Sequence, residues 1–179
     1  MNPATYPERE SGLAPLVNHE PCILILGSFP SRISLTEGHY YANPRNHFWI
    51  IMQRLLGLEG SGIPEWEEEL KSAHIAVWDV IDSRRYQKGS MDHDIKDEIW
   101  NDIPGFLTRY PTIRNLFLNG GKASGSFRKA IEGVSLPPSI HIQVLPSSSP
   151  ANARYTLREK VERWKIILEA LSEKENARH

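Results

Sequence analysis

The chain alternates between short apolar runs and longer segments of helical periodicity, with the polar residues gathered where one gives way to the other. Cys22 to Leu26 is continuously apolar and stops at Gly27-Ser28-Phe29-Pro30-Ser31, which reads as a buried strand ending in a tight loop. Ile75, Val77 and Val80 with Trp78 give a second strand ending near Asp79, Leu116 to Leu118 a third ending at Asn119-Gly120-Gly121-Lys122, and Ile140, Ile142 and Val144 a fourth. Between them the period changes. Phe48, Ile51, Met52 and Leu55 recur at helical spacing after Pro44, with Gly57 as a stop, and Pro64 opens a short acidic helix through Leu70. Ile95, Ile99 and Ile103 predict a helix over about 93–109 that Pro104 kinks or divides, preceded by a polar loop over 82–94. Ala123, Phe127 and Ala130 mark a helix after the third strand, and Leu157, Val161, Trp164, Leu168 and Leu171 form one continuous stripe in the last. Residues 1–20 read as an extended lead-in in which Leu13 to Val17 dock, and 172–179 as a frayed tail.

Strands alternating with helices predict a three-layer α/β/α sandwich around a central four-stranded parallel sheet, forming a single domain over 1–179. In such a sheet the strand ends share one edge, and ligands bind in the crevice beyond it. That brings the Gly27 loop, Asp79, Asn119 and the Leu145-Pro146-Ser147-Ser148-Ser149-Pro150-Ala151-Asn152 segment together. The loop after the first strand is dense in chemistry: two tyrosines, two histidines, two asparagines and an arginine lie between His39 and His47.

Composition changes this picture only at its margins. With 179 residues, 40% hydrophobic and 24% charged, the balance is that of an ordinary globular chain. A net charge of -1 from 21 basic and 22 acidic residues means that a nucleic-acid ligand must be met by a local basic patch. Lys122, Arg128, Arg84, Arg85 and Lys88 are candidates. The lone Cys22 excludes internal disulfides and cysteine-held iron-sulfur clusters, and its apolar strand makes it a buried hydrophobe rather than a nucleophile. No signal-peptide pattern opens the chain and no apolar run nears the roughly 20 residues of a membrane span, so it reads as a soluble cytoplasmic protein. Asp92-His93-Asp94 reads as a polar helix start, and neither a metal nor a cofactor is expected. Ser28 or Ser31 as an esterase nucleophile would need a Gly-x-Ser-x-Gly elbow, which is absent.

Gly-Ser-Phe-Pro-Ser, Tyr-Tyr-Ala-Asn-Pro-Arg-Asn-His-Phe-Trp, Val-Trp-Asp-Val-Ile, Leu-Asn-Gly-Gly and Leu-Pro-Ser-Ser-Ser-Pro-Ala, in this order over roughly 21–170, resemble the uracil-DNA glycosylase superfamily. Specifically they are similar to its hypoxanthine-DNA (deoxyinosine) glycosylase branch. The resemblance implies a monofunctional enzyme that extrudes a deaminated base from double-stranded DNA and hydrolyses its N-glycosidic bond, working as a monomer. Flipping costs a few kcal/mol, and stacking on an aromatic ring, worth about 1 to 3 kcal/mol, offsets it. Tyr41 occupies the position of the family's stacking aromatic. Phe29 stands where the mismatch-specific uracil and thymine branch carries its catalytic asparagine, which points to the hypoxanthine branch and to an asparagine of the following loop. Asn43 is the first candidate and Asn46 the second, with Asp79 reading the base or positioning water. Gly27, Ser28, Phe29, Tyr41, Phe48 and Asn119 would form the base pocket. Ser147, Ser148, Ser149, Asn152, Arg154 and Lys122 would hold DNA, with Asn152 or Arg154 entering the gap left by the base. His39 and His47 read as structural or as phosphate contacts. A uracil/thymine mismatch glycosylase and a non-catalytic damage binder are the competing readings.

Overall fold

A computed structural model describes residues 9–85 and 97–176. The elements are β1 (Arg9–Ser11), β2 (Ile23–Gly27), α1 (Arg32–Glu37), α2 (Phe48–Leu56), α3 (Ile63–Ser72), β3 (Ile75–Asp79), β4 (Ile81–Arg85), β5 (Ile99–Trp100), α4 (Ile103–Arg109), β6 (Asn115–Asn119), α5 (Gly120–Ala130), β7 (His141–Leu145), α6 (Leu157–Trp164) and α7 (Ile166–Asn176). A four-stranded sheet in the order β3-β2-β6-β7 is parallel throughout. β2 is buried along its whole length, as a central parallel strand covered on both faces must be. Its side chains alternate between two cores. Ile23 and Ile25 pack with Phe48, Ile51, Met52 and Trp164, whereas Leu24 and Leu26 pack with Phe106, Leu107, Leu116 and Phe127. This is the expected three-layer α/β/α arrangement. After β3 the chain returns past β2 to build β6, so the strand order reverses between β2 and β6. The crevice at that switch point opens at the carboxyl ends of the strands.

Several local expectations are corrected. Residues 81–85, expected largely as loop, form β4, which pairs antiparallel with β1 and β5 in a separate three-stranded sheet. Asp82-Ser83-Arg84-Arg85 carries no apolar alternation, because its order comes from distant partners such as Arg9 opposite Arg85. Ile99 lies in β5, and the helix expected over 93–109 begins only at Ile103, where Asp102 caps it by accepting from Gly105 N at 2.9 Å. Pro104 falls in its first turn, where no N–H is needed, so it opens the helix and does not kink it. Residues 86–96, with Lys88 and Asp92-His93-Asp94, lie outside the described residues.

The loop after β2 holds α1, capped by Ser31 and closed by Gly38. α2 begins at Phe48 and not at Pro44, since the side-chain oxygens of Asn43 and Asn46 accept from the backbone N–H of Arg45 and Phe48 and form turns instead. The last helix is two: after a break at Lys165, Ile167 is buried and Leu168 faces solvent. α7 runs to Asn176, past the Ser172 at which the sequence suggested fraying. Within the lead-in, Leu16 bridges to Val77, and the Tyr40 hydroxyl donates to Ala14 O at 2.9 Å.

Candidate functional site

The ends of β2, β3, β6 and β7 surround a cavity of about 770 Å³. At its floor β2 ends in Gly27, where a Cβ would overlap the Asp79 carboxyl and stand 3.0 Å from the Tyr41 hydroxyl, so only glycine admits both groups. Tyr41 has φ 53°, a left-handed conformation costly for a bulky residue and held by its surroundings. Its ring stacks on Phe48, with centroids 4.0 Å apart and planes 18° apart, and its hydroxyl accepts from Asn119 Nδ2 at 3.0 Å. Burial, with Asp79 nearby, pushes the phenol up and keeps it neutral. Asp79 is 4% exposed, and its Oδ2 is buried without a hydrogen-bond partner among the described residues. Burial raises its carboxyl to about 7, against the opposing pull of Arg84. Arg84 also lies 4.1 Å over the ring of Phe29, which lines the cavity.

The opposite wall is knitted together. Asn119 Nδ2 donates to Ser148 Oγ at 2.9 Å, and Asn119 Oδ1 accepts from Ser148 N at 2.9 Å. Ser148 O in turn accepts from His47 N at 2.9 Å, joining the start of α2 to the loop after β7. Behind this loop Lys160 is wholly buried, donating to Ser149 O at 3.2 Å and standing 3.4 Å from His47 Nδ1. Burial lowers the Lys160 ammonium, and burial followed by the Lys160 charge lowers the His47 imidazole. Gly120, at φ 92°, lies so close to the loop that a Cβ would come within 2.5 Å of Ser147 Cβ. At the mouth, Asn43 and Asn46 use their carboxamide oxygens on backbone N–H groups. Their amino groups make no hydrogen bond to the described residues, and both residues line the cavity.

The model of the uracil DNA glycosylase superfamily matches residues 14–171, which carry every wall of this cavity. The chain belongs to that superfamily. It is 34% identical to a hypoxanthine DNA glycosylase of Methanosarcina acetivorans over 158 residues, spanning 87% of this chain and 96% of the relative. The corresponding protein of Methanosarcina barkeri is 30% identical over the same shares. A solution NMR structure of a Methanosarcina acetivorans protein, provisionally named a uracil DNA glycosylase, superposes with a TM-score of 0.76 at 32% identity, over 92% of this chain and 99% of the other.

Within this superfamily fold the sequence candidates are largely brought together. Ser28, Phe29, Asp79 and Tyr41 line the inner end, Asn43 and Asn46 the mouth, and Ser147, Ser149, Asn152 and Lys122 the far side. Asn152 Nδ2 donates to Ser147 O at 3.1 Å and thus ties its own loop. Phe48 does not line the cavity: it is fully buried behind Tyr41 and supports that ring from below. Arg84 and Arg85 are not a DNA-facing patch, since Arg84 is buried and Arg85 Nε stands 3.4 Å from Asp97. Arg128 is exposed on α5 away from the cavity lining. His39 pairs with Glu67 at 2.9 Å, which fixes the loop to α3.

Tyr155 and Arg163 on the rim, and Lys160 beneath it, were missed. Arg154 and Arg163 flank the Tyr155 ring at 5.4 and 4.7 Å. A signal existed for Lys160, which sits with Leu157, Val161 and Trp164 at core spacing along α6. Among the described residues no His, Cys, Asp and Glu group is arranged to hold a metal, and no helix is long and apolar enough to cross a membrane.

Proposed function

We propose that the protein is a monofunctional DNA glycosylase that hydrolyses the N-glycosidic bond of deaminated bases, chiefly hypoxanthine, and leaves an abasic site. The observation that carries this reading is the 34% identity over 96% of the length of a relative named hypoxanthine DNA glycosylase. The cavity suits the task. An extruded base entering it would meet the Tyr41 face, already stacked on Phe48, and the Phe29 ring held by Arg84. Asn43, whose carboxamide oxygen has a second lone pair besides the one used in its turn, is the first candidate to accept from a water and orient it toward the sugar, and Asn46 the second. The Ser147 and Ser149 hydroxyls border the cavity and can donate to the DNA backbone, with Lys122 and Arg154 beside them. The loop that carries Asn43 and Asn46 contains no lysine, which supports hydrolysis without a Schiff-base step. Double-stranded DNA is the partner, and the enzyme acts as a cytoplasmic monomer without metal or cofactor.

The test is incubation of purified protein with labelled duplexes holding one hypoxanthine, uracil or xanthine, followed by alkali. Cleavage chiefly at hypoxanthine is the expected result. Preference for uracil would move the protein to another branch, and binding without alkali-labile sites would make it a damage binder.

A further inference from the structure

Resting on the glycosylase reading above, we propose that Asp79 is the general acid for the departing purine and passes its carboxyl proton to N7 of hypoxanthine as the bond between C1′ and N9 breaks. The placement supports this role. Asp79 lines the cavity, its carboxyl filling the space that Gly27 leaves by lacking a side chain, and it is only 4% exposed. Its Oδ2 has no hydrogen-bond donor among the described residues, so ionisation would leave that oxygen without a hydrogen bond. The facing titratable and charged groups are few. From the loop before α2 come the Tyr40 and Tyr41 phenols, both pushed up by burial and therefore neutral. From β4 comes Arg84, the opposing cation, itself beside Glu10 of β1. β2 presents Gly27 and β6 the neutral Asn119. Burial prevails, and the carboxyl at about 7 retains its proton in a large share of molecules at neutral pH.

The chemistry needs that proton. As the bond breaks, its electron pair moves to N9 and spreads over the imidazole ring to N7, while C1′ becomes oxocarbenium-like. A carboxylate at the floor would repel this charge, whereas a carboxylic acid donates to it and neutral hypoxanthine departs. Water oxygen then bonds to C1′, its released proton enters solvent, and solvent restores the Asp79 carboxyl. One water is consumed and no other reactant is required. The two polar ends of the cavity thereby divide the work, Asn43 acting on water at the mouth and Asp79 on the base at the floor. Uracil has no N7 and gains nothing from this acid, which gives the site a chemical reason to favour purines.

The experiment measures single-turnover excision from duplexes containing 2′-deoxyinosine or its 7-deaza analogue, between about pH 5.5 and about pH 9, with wild type and Asp79→Asn. The expected inosine rate constant is level at low pH and falls about tenfold per unit above about 7. Replacing N7 by carbon should slow wild type by about 100-fold and slow Asp79→Asn far less, since the acid is already missing. A rate that rises with pH through this range would make Asp79 a base and overturn the proposal. So would an Asp79→Asn loss equal on both substrates, which is the mark of positioning alone. The wild-type pH profile needs no variant and decides the matter even where Asp79→Asn fails to fold. Wild type that cleaves no inosine at any pH would defeat the glycosylase reading itself, a result distinct from either of these.

Discussion

The two polar walls of the cavity are built on opposite terms. On the β6–β7 side the polar groups are spent on one another: the Asn119 carboxamide is shared between Tyr41 and Ser148, and Ser148 O holds the start of α2. On the β2–β3 side, and in the loop that follows β2, polar groups are left over. Among the described residues Asp79 Oδ2 lacks a hydrogen-bond partner, and so do the amino groups of Asn43 and Asn46, both of which line the cavity. Native interiors leave few buried polar atoms unpaired, so the buried Asp79 Oδ2 stands out, while the half-exposed asparagine amino groups are open to solvent. An asparagine is therefore not informative by type alone. Asn119 is bonded across the crevice, whereas Asn43 bonds only within its own turn.

Substitution of the two asparagines tests this contrast most severely. Asn43→Ala should lower single-turnover excision by about 100-fold to about 1,000-fold. Its one side-chain bond, to Arg45 N, is exposed, so the same change should alter stability by less than about 1 kcal/mol in a denaturant titration. Asn119→Ala should invert the pattern. It strips partners from Ser148 N, Ser148 Oγ and Tyr41 Oη, costing about 3 kcal/mol and lowering Tm by about 6 to 12 °C. A variant Asn119→Ala that melts like wild type but fails in catalysis would erase the distinction between the walls.

The unspent wall should also be the less stable one, and Asp79 shows it. Its carboxyl lies at about 7 in the fold against an ordinary 3.8. Between these values the unfolded chain loses a proton that the native protein keeps, so stability is fully present below about pH 4, falls as pH rises and levels off above about 7. Asp79→Asn removes this dependence. Because the amide brings buried donors that lack partners of their own, at a cost of about 2 kcal/mol at every pH, the variant should gain about 2 kcal/mol at pH 8 and lose about 2 kcal/mol near pH 4. Urea titrations at the two pH values read the difference directly. A gap independent of pH would mean that Asp79 is ionised throughout.

The contrast was half legible in the sequence. Buried parallel strands are continuous apolar runs, so β2, β3 and β6 and the small polar residues at their ends could be read without contacts. Which polar residue is spent could not, because that depends on groups distant in sequence: Asn119 bonds to Tyr41 and Ser148 across the crevice. The β1-β4-β5 sheet was hidden for the same reason, since β4 is a polar strand ordered by the pairing of Arg9 with Arg85. Phe48 was placed in the pocket by the family resemblance, whereas the left-handed backbone at Tyr41 sets its ring between Phe48 and the cavity. The break at Lys165 escaped a stripe that fits a single helix equally well.

The smallest effect concerns the rim. With 21 basic against 22 acidic residues the chain has no general attraction for phosphate, so attraction must come from cations near the mouth. Arg163 stands there, exposed at the cavity edge and 4.7 Å from the Tyr155 ring. It also faces Glu159 one turn back on α6, whose carboxyl it helps to lower, and this neighbour competes with any phosphate for the guanidinium. Arg163→Gln should accordingly weaken duplex binding by less than about tenfold at low salt and reduce the slope of log Kd against log salt by about 0.9. Single-turnover excision at saturating protein should stay within about twofold of wild type, because the cation acts on the backbone and not on the breaking bond. An unchanged salt slope would assign Arg163 to Glu159 and Tyr155 alone and make it part of the spent wall. A reduced slope would place it with Asn43 and Asp79, among the groups that the folded protein holds in reserve for DNA.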